Sequence, residues 1–252
     1  MRASKKIGCL IICLAMLFTC LTSCDIIGGK IDPDKYQANV RIAFATNDDN
    51  MKGTIDAMSS SSVIMADGDN ISLHTTANSG DTSVNNSYVL LDGVLYHHLL
   101  IISGDYSAES TKKANVDEES KDDIISKAGT GADIGLIDFE TSEMYIDGGL
   151  DVYSCSDITS EAKDSLENIL TSDFSTLGAT VSIKEAYYTL EMKDGVEMGS
   201  ALSVSFEINI NGKVYEVTMH VYTDYDYSAD VSITLPTDSE GYETVSYDKI
   251  IK

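Results

Sequence analysis

Four histidines, His74, His97, His98 and His220, are the imidazoles available for acid–base or metal chemistry. Two are adjacent. On a strand, successive side chains point to opposite faces, so His97 and His98 cannot chelate one metal together. A metal site would need Tyr88, His74 or His220 brought in from another strand, and none is expected. Ser110-Thr111-Lys112-Lys113 has the Ser-x-x-Lys spacing of a lysine-activated serine nucleophile. The Ser-Asp-Asn and Lys-Thr-Gly segments that accompany that chemistry are missing, so it reads as a solvated strand end. Gly129-Thr130-Gly131 with Gly135 is misspaced for a dinucleotide loop and follows a helix pattern instead of a strand; it reads as a helix stop. There is no Gly-x-Ser-x-Gly, His-Glu-x-x-His or Walker loop. No catalytic residue, metal or cofactor is expected.

Two acidic runs, Asn47-Asp48-Asp49-Asn50 and Asp67-Gly68-Asp69-Asn70, begin like calcium loops. Neither continues to the glycine at position six and the glutamate at twelve, so both read as turns. Cys155 sits in the strand-like stretch Asp151 to Cys155 and reads as a buried, unreactive thiol. Tyrosine is abundant, with 14 residues, and tryptophan is absent. Tyr222, Tyr225 and Tyr227 alternate with Asp224 and Asp226 and suggest an aromatic patch edged by acid.

The elements that would carry these residues are set by turns. Asp67-Gly68, Asp92-Gly93, Asp147-Gly148, Asp194-Gly195 and Asn211-Gly212 lie between apolar or alternating stretches. Such dipeptides tolerate positive φ, which matches the twist of two-residue hairpins. Asn211-Gly212 sets a register. It places Leu202, Val204, Phe206, Ile208 and Ile210 opposite Val221, Met219, Val217, Tyr215 and Lys213 on one face. Glu207 and Glu216 then face each other on the wet side. Asp92-Gly93 places Leu90 opposite Leu95 and Tyr88 opposite His97, with both faces fairly apolar. Asn78 to Asn86 reads as a polar loop.

Two helices are predicted. Asp117 caps residues 118–128, with Gly129 as the stop, and Thr159 caps a second with Ala162, Leu166, Ile169, Leu170 and Phe174 on one stripe. Glu119-Ser120-Lys121-Asp122 and Glu161-Ala162-Lys163-Asp164 hint at a duplicated strand–strand–helix unit.

The first 24 residues are of another kind. Arg2, Lys5 and Lys6 precede the apolar run Ile7 to Thr19, which is followed by Leu21-Thr22-Ser23-Cys24. The order is that of a secretory signal, and its end resembles the lipobox of bacterial lipoproteins. That resemblance implies cleavage after residue 23, lipid on Cys24, and anchoring at the extracytoplasmic face of the cell membrane. Each buried methylene of an anchor contributes about 0.8 kcal/mol, so two or three chains hold firmly. Residues 24–35 would be a tether spanning on the order of 18 Å, and residues 36–252 one domain. From Cys24 onward 14 basic residues stand against 41 acidic ones, a net charge of −27. Such a surface repels nucleic acid and anionic headgroups. The lipid on Cys24 would be the contact with the membrane.

A lipidated cysteine, a short tether, serial hairpins and two amphipathic helices resemble the LolA/LolB-like superfamily, which includes mycobacterial lipid-binding lipoproteins. The pieces carrying the resemblance are Lys35 to Ala45 as a first strand, Val94-Leu95-Tyr96, the two helices, and the ending Leu235-Pro236…Tyr242…Tyr247. It implies an α+β fold, a strongly curved antiparallel half-barrel with two or more helices on its concave face. It also implies a lipid-like hydrophobic ligand between sheet and helices. The expected lining is Val204, Phe206, Ile208, Val217, Met219 and Val221 from the sheet, with Leu166, Ile169 and Leu170 from the helix. The chain is expected to act as a monomer that binds, carries or senses this ligand. The alternative is a non-catalytic envelope protein that holds a protein or glycan partner.

Overall fold

The computed structural model describes residues 35–117, 120, 121, 124, 142–156 and 158–251. The expected signal segment, Cys24 and most of the expected tether lie outside the described residues, as does most of the predicted 118–128 helix. Its first turn starts as expected: the Asp117 carboxylate accepts from the Ser120 N–H at 2.8 Å.

One mixed sheet of 12 strands organises the chain. The first arm is β1 (Lys35–Thr46), β2 (Ser60–Asp67), β3 (Asn70–Ser79), β4 (Thr82–Leu91), β5 (Val94–Ser103) and β6 (Tyr106–Asn115). The second is β7 (Glu143–Asp147), β8 (Leu150–Cys155), β9 (Ala179–Lys193), β10 (Val196–Ile210) and β11 (Lys213–Asp226). Each arm is an antiparallel meander, and β11 pairs antiparallel with β1 to join them. The short β12 (Glu243–Thr244) adds parallel to β6. The result is a β-rich α+β fold, with α1 (Asp49–Ile55), α2 (Ser160–Asp173) and α3 (Asp248–Ile251) the helices fully within the described residues.

The turn chemistry predicts most of the hairpins. Asp92, Asp194 and Asn211 have φ of 51°, 52° and 52°, each followed by a glycine at positive φ, as two-residue loops between twisted strands require. The registers expected at Asn211-Gly212 and Asp92-Gly93 are the observed ones. At the two other sites the loop starts one residue later than expected: Gly68-Asp69, with Asp67 paired to Asn70, and Gly148-Gly149, with Asp147 paired to Leu150.

Two sequence readings are corrected. Residues 78–86 are not a loop but the β3–β4 hairpin, turning at Gly80, with Thr82, Val84 and Asn86 buried. Its polarity misleads because Asn78 and Ser83 pair across the ribbon away from the core. The run from Asn47 is not only a turn. Asp48 caps α1 by accepting from the Asn50 N–H at 2.9 Å.

One sheet face, here called inner, carries the main core. Val40, Ile42 and Phe44 of β1, Val204, Phe206 and Ile208 of β10, and Val217 and Met219 of β11 belong to a single buried cluster. Ile55 of α1, Met58, and Leu166 and Leu170 of α2 belong to the same cluster, so both helices cover this face. Alternation explains the rest of β10 and β11: Glu207 and Glu216 face each other on the outer side, as expected. Lys184 neutralises part of this like-charge contact, reaching Glu207 at 3.0 Å.

Helix α2 also guards an edge. β8 pairs with β9 only from Tyr188 to Met192. Closer to the start of β9, the N–H groups of Val181 and Ile183 donate to Thr171 Oγ1 at 3.3 Å and Glu167 Oε1 at 2.7 Å. Side chains of the helix thus replace a missing strand. Lys184 is the extra residue of a bulge there. At the far edge α3 places Ile250 over Leu90, Leu95 and Ala114.

Candidate functional site

The nine expected lining residues separate into two groups. Val204, Phe206, Ile208, Val217, Met219 and Leu170 are 0–2 % exposed, and Leu166 is 8 % exposed. They pack on each other, and the Phe174 and Phe206 rings lie 6.1 Å apart. Val221 is half-buried against this cluster, and Ile169 is half-buried on α2. At such exposures the side chains of the first group are packed as core, although Phe206 and Val217 also border a groove on the other side of the sheet.

The inner face changes character toward the other end of the strands. Cross-strand pairing aligns Ser200 with Thr223, Thr223 with Val40, Val40 with Ser62, Ser62 with Thr75, and Thr75 with Asn86. This is a polar row running through an apolar face. Ser62, Thr75, Asn86 and Thr223 are all buried. Ser62 Oγ and Thr75 Oγ1 lie 2.9 Å apart, and Asn86 Oδ1 and His97 Nε2 lie 2.8 Å apart. The His97 ring stacks on Tyr88, with centroids 4.4 Å apart and planes at 14°.

Near this row the Tyr36 hydroxyl, His97 Nδ1 and Glu197 Oε1 have no hydrogen-bond partner among the described residues. Unmatched buried polar atoms cost about 1–3 kcal/mol each, so their presence in an otherwise satisfied core needs a reason. Glu197 is the most unusual. It is 7 % exposed, and burial pushes its carboxyl up to about 8 despite a hydrogen bond with Ser200. A bulge puts it there. Glu197 pairs with Met192 and Gly199 with Glu191, so Met198 is an extra residue and the alternation shifts by one. Three tyrosines gather beside it. The Tyr36 ring lies 5.7 Å from Tyr225 and 6.1 Å from Tyr227, and those two stack at 5.9 Å and 8°. The Tyr227 hydroxyl donates to the Glu197 carbonyl at 2.7 Å. Burial first, and then the Glu197 charge, raise Tyr36 to about 12.

The expected tyrosine patch is therefore divided. Tyr225 and Tyr227 belong to the inner cluster, while Tyr222 is exposed and stacks on His220 at 6.2 Å. An odd spacing between Tyr222 and Tyr225 puts them on opposite faces.

His97 and His98 also separate, as alternation requires. His98 meets Glu109 at 2.8 Å and His74 meets Ser87 at 2.6 Å. Among the described residues no three His, Cys, Asp or Glu side chains converge for a metal. Cys155 is buried and unbridged. A groove of about 290 Å³ lies on the outer side, lined by Lys184, Ser205, Glu207, Glu216 and Thr218, and bordered also by the expected residues Phe206 and Val217. Its walls suit a polar guest rather than an acyl chain.

Burial holds His97 down to about 4, with the charges of Lys112 and His98 adding to it. A histidine kept neutral in the fold but free to protonate when unfolded favours unfolding in acid. The contribution is complete above pH 6.5 and lost as pH falls toward 4. Going from pH 7 to 4.5, His97 should cost about 2–3 kcal/mol of stability. Urea unfolding at both pH values checks this: His97→Gln should lack that part of the loss.

No family model matches the chain, and no curated protein matches it. Among solved structures, an inactive mutant of the CurJ dehydratase in complex with a compound is 8 % identical, covering 87 % of this chain and 82 % of that one, at a TM-score of 0.15. An isomerase-inactive variant of GphF DH1 is 6 % identical, covering 82 % and 79 %, at 0.18. Scores this low establish no common fold.

Proposed function

We propose that this chain is an extracytoplasmic lipoprotein, anchored through lipid on Cys24, that binds a hydrophobic, lipid-like ligand on the inner face of its sheet. In this reading the sheet curves into a half-barrel around that ligand, and the LolA/LolB-like resemblance extends to its role. The observation that supports it is the polar row with its unmatched groups, Tyr36, His97 and Glu197, set in an apolar face. An apolar guest would need none of these; an amphiphile matches both surfaces at once. The reading moves the expected contact away from the filled cluster of Phe206 and Val217 toward the half-buried Tyr88, Val221, Tyr225 and Tyr227. Binding would be shape-matched burial without chemistry.

Native mass spectrometry with lipid extraction tests it, on the full chain produced from Met1 in a bacterial host. The expected result is acyl chains covalently carried on Cys24 and, separately, a co-purifying amphiphile released by organic solvent. A folded protein without such a ligand, and with no mass shift when lipids are offered, overturns the binding role.

One observation favours a second reading, an envelope protein holding a protein or glycan partner. Strand β7 ends the sheet order, and its Met144, Tyr145 and Ile146 are 57 %, 49 % and 72 % exposed. A clean mass would send the search there.

A further inference from the structure

We infer that Glu197, with the rings of Tyr36, Tyr225 and Tyr227, forms a subsite for an ammonium group, the cationic head of the amphiphile. This rests on the proposed binding role and adds the chemical class of the head.

The carboxyl is nine-tenths buried, yet one oxygen has no donor. An acceptor without a donor calls for an N–H or a cation. Among the described residues no Lys or Arg contributes to the electrostatics of Glu197. Other ionisable groups face it from neighbouring elements. Tyr36 lies on β1, and Tyr225 and Tyr227 on or just past β11. Glu191 of β9 and Asp224 of β11 flank Gly199 on the opposite, outer face and do not face Glu197. The three tyrosines that face it are neutral and offer no positive charge to an anionic head.

The rings complete the chemistry. Three aromatic faces beside a carboxylate favour a cation over a neutral group of the same shape, because ring quadrupoles attract positive charge in a desolvated place. Tyr225 and Tyr227 are only half-buried, so the cluster can open on their side. The three rings now touch, and binding would part them. Binding a cation would also ionise Glu197 and release its proton, so affinity should rise with pH toward 8.

Saturation-transfer NMR on the full chain in phosphatidylglycerol nanodiscs tests this, with choline and its uncharged isostere 3,3-dimethylbutan-1-ol as probes. Transfer to the choline methyl protons should exceed transfer to the isostere about tenfold at pH 8.5. It should fall by a similar factor at pH 5.5 and in Glu197→Gln, with folding checked by circular dichroism. Tyr36→Phe, which keeps the ring, should retain most of the signal. Equal transfer to both probes, or a choline signal unchanged in Glu197→Gln, overturns the inference. The extracted lipid separates the two claims. A co-purifying amphiphile with an anionic or neutral head refutes the ammonium subsite and leaves the binding role standing. Absence of any amphiphile refutes the role itself.

Discussion

Glu197→Gln should stabilise the fold by about 3 kcal/mol at pH 7. The sign follows from the raised carboxyl. In the unfolded chain Glu197 ionises near 4.5, whereas in the fold it stays protonated until about 8. Between those values the unfolded state has given up a proton that the folded state keeps. Stability therefore falls as pH rises from 4.5 to 8 and is flat below. Glutamine has nearly the same shape, can still bond to Ser200, and never ionises. The gain should be largest near pH 8 and vanish below 4.5, as read from urea midpoints across that range. A variant less stable than the parent at pH 7 would mean that the buried oxygen is ionised and paired.

His97 gives that experiment an internal check. Its contribution is lost as pH falls below 6.5, while that of Glu197 is lost as pH rises above 4.5. Between pH 4.5 and 6.5 the two slopes are opposite and similar, so the parent's stability should be nearly level. Glu197→Gln should leave a curve that rises with pH, and His97→Gln one that falls. Near neutrality the cost falls on Glu197, about 3 kcal/mol, while that of His97 appears only in acid. Proteins retain that kind of cost at places with a role.

The contrast between the hairpins and this polar row shows what one sequence can reveal. The β10–β11 register was legible because Asn211-Gly212 fixes the loop and every later pair follows by alternation. The same logic set Tyr88 against His97, the pair beside the last member of the polar row, Asn86. Glu197 was not legible. By alternation it belongs with Gly199 and Ala201 on the outer face, and only the extra residue Met198 turns it inward. Bulges leave no local mark that distinguishes them from ordinary strand. The joining of β1 to β11 was equally hidden, because partners such as Phe44 and Met219 are separated by most of the chain. Helix α1 hid behind acidic residues whose cap function looks like a turn until the chain that follows is seen.

Phe206→Ala should cost about 3–5 kcal/mol, and the size of that loss decides what the middle of the inner face is for. Phe206 is 1 % exposed, lies between Val204 and Ile208 in the core cluster, and meets Phe174 at 6.1 Å. Removing a ring from a filled place loses its burial and leaves a void that the surrounding sheet cannot close. Removing it from the wall of an existing ligand cavity would cost far less, since one side of the ring would already lack neighbours. Urea unfolding of the ligand-free protein reads the difference. A loss near 4 kcal/mol assigns Phe206, Val217 and Met219 to the core, and with them the expectation that they line a ligand fails. A loss near 1 kcal/mol returns the binding surface to the centre of the sheet. The packing seen around Phe174 and Leu170 argues for the larger value. In the proposed role the ligand would then sit at the end of the strands, near Tyr225, Tyr227 and Glu197.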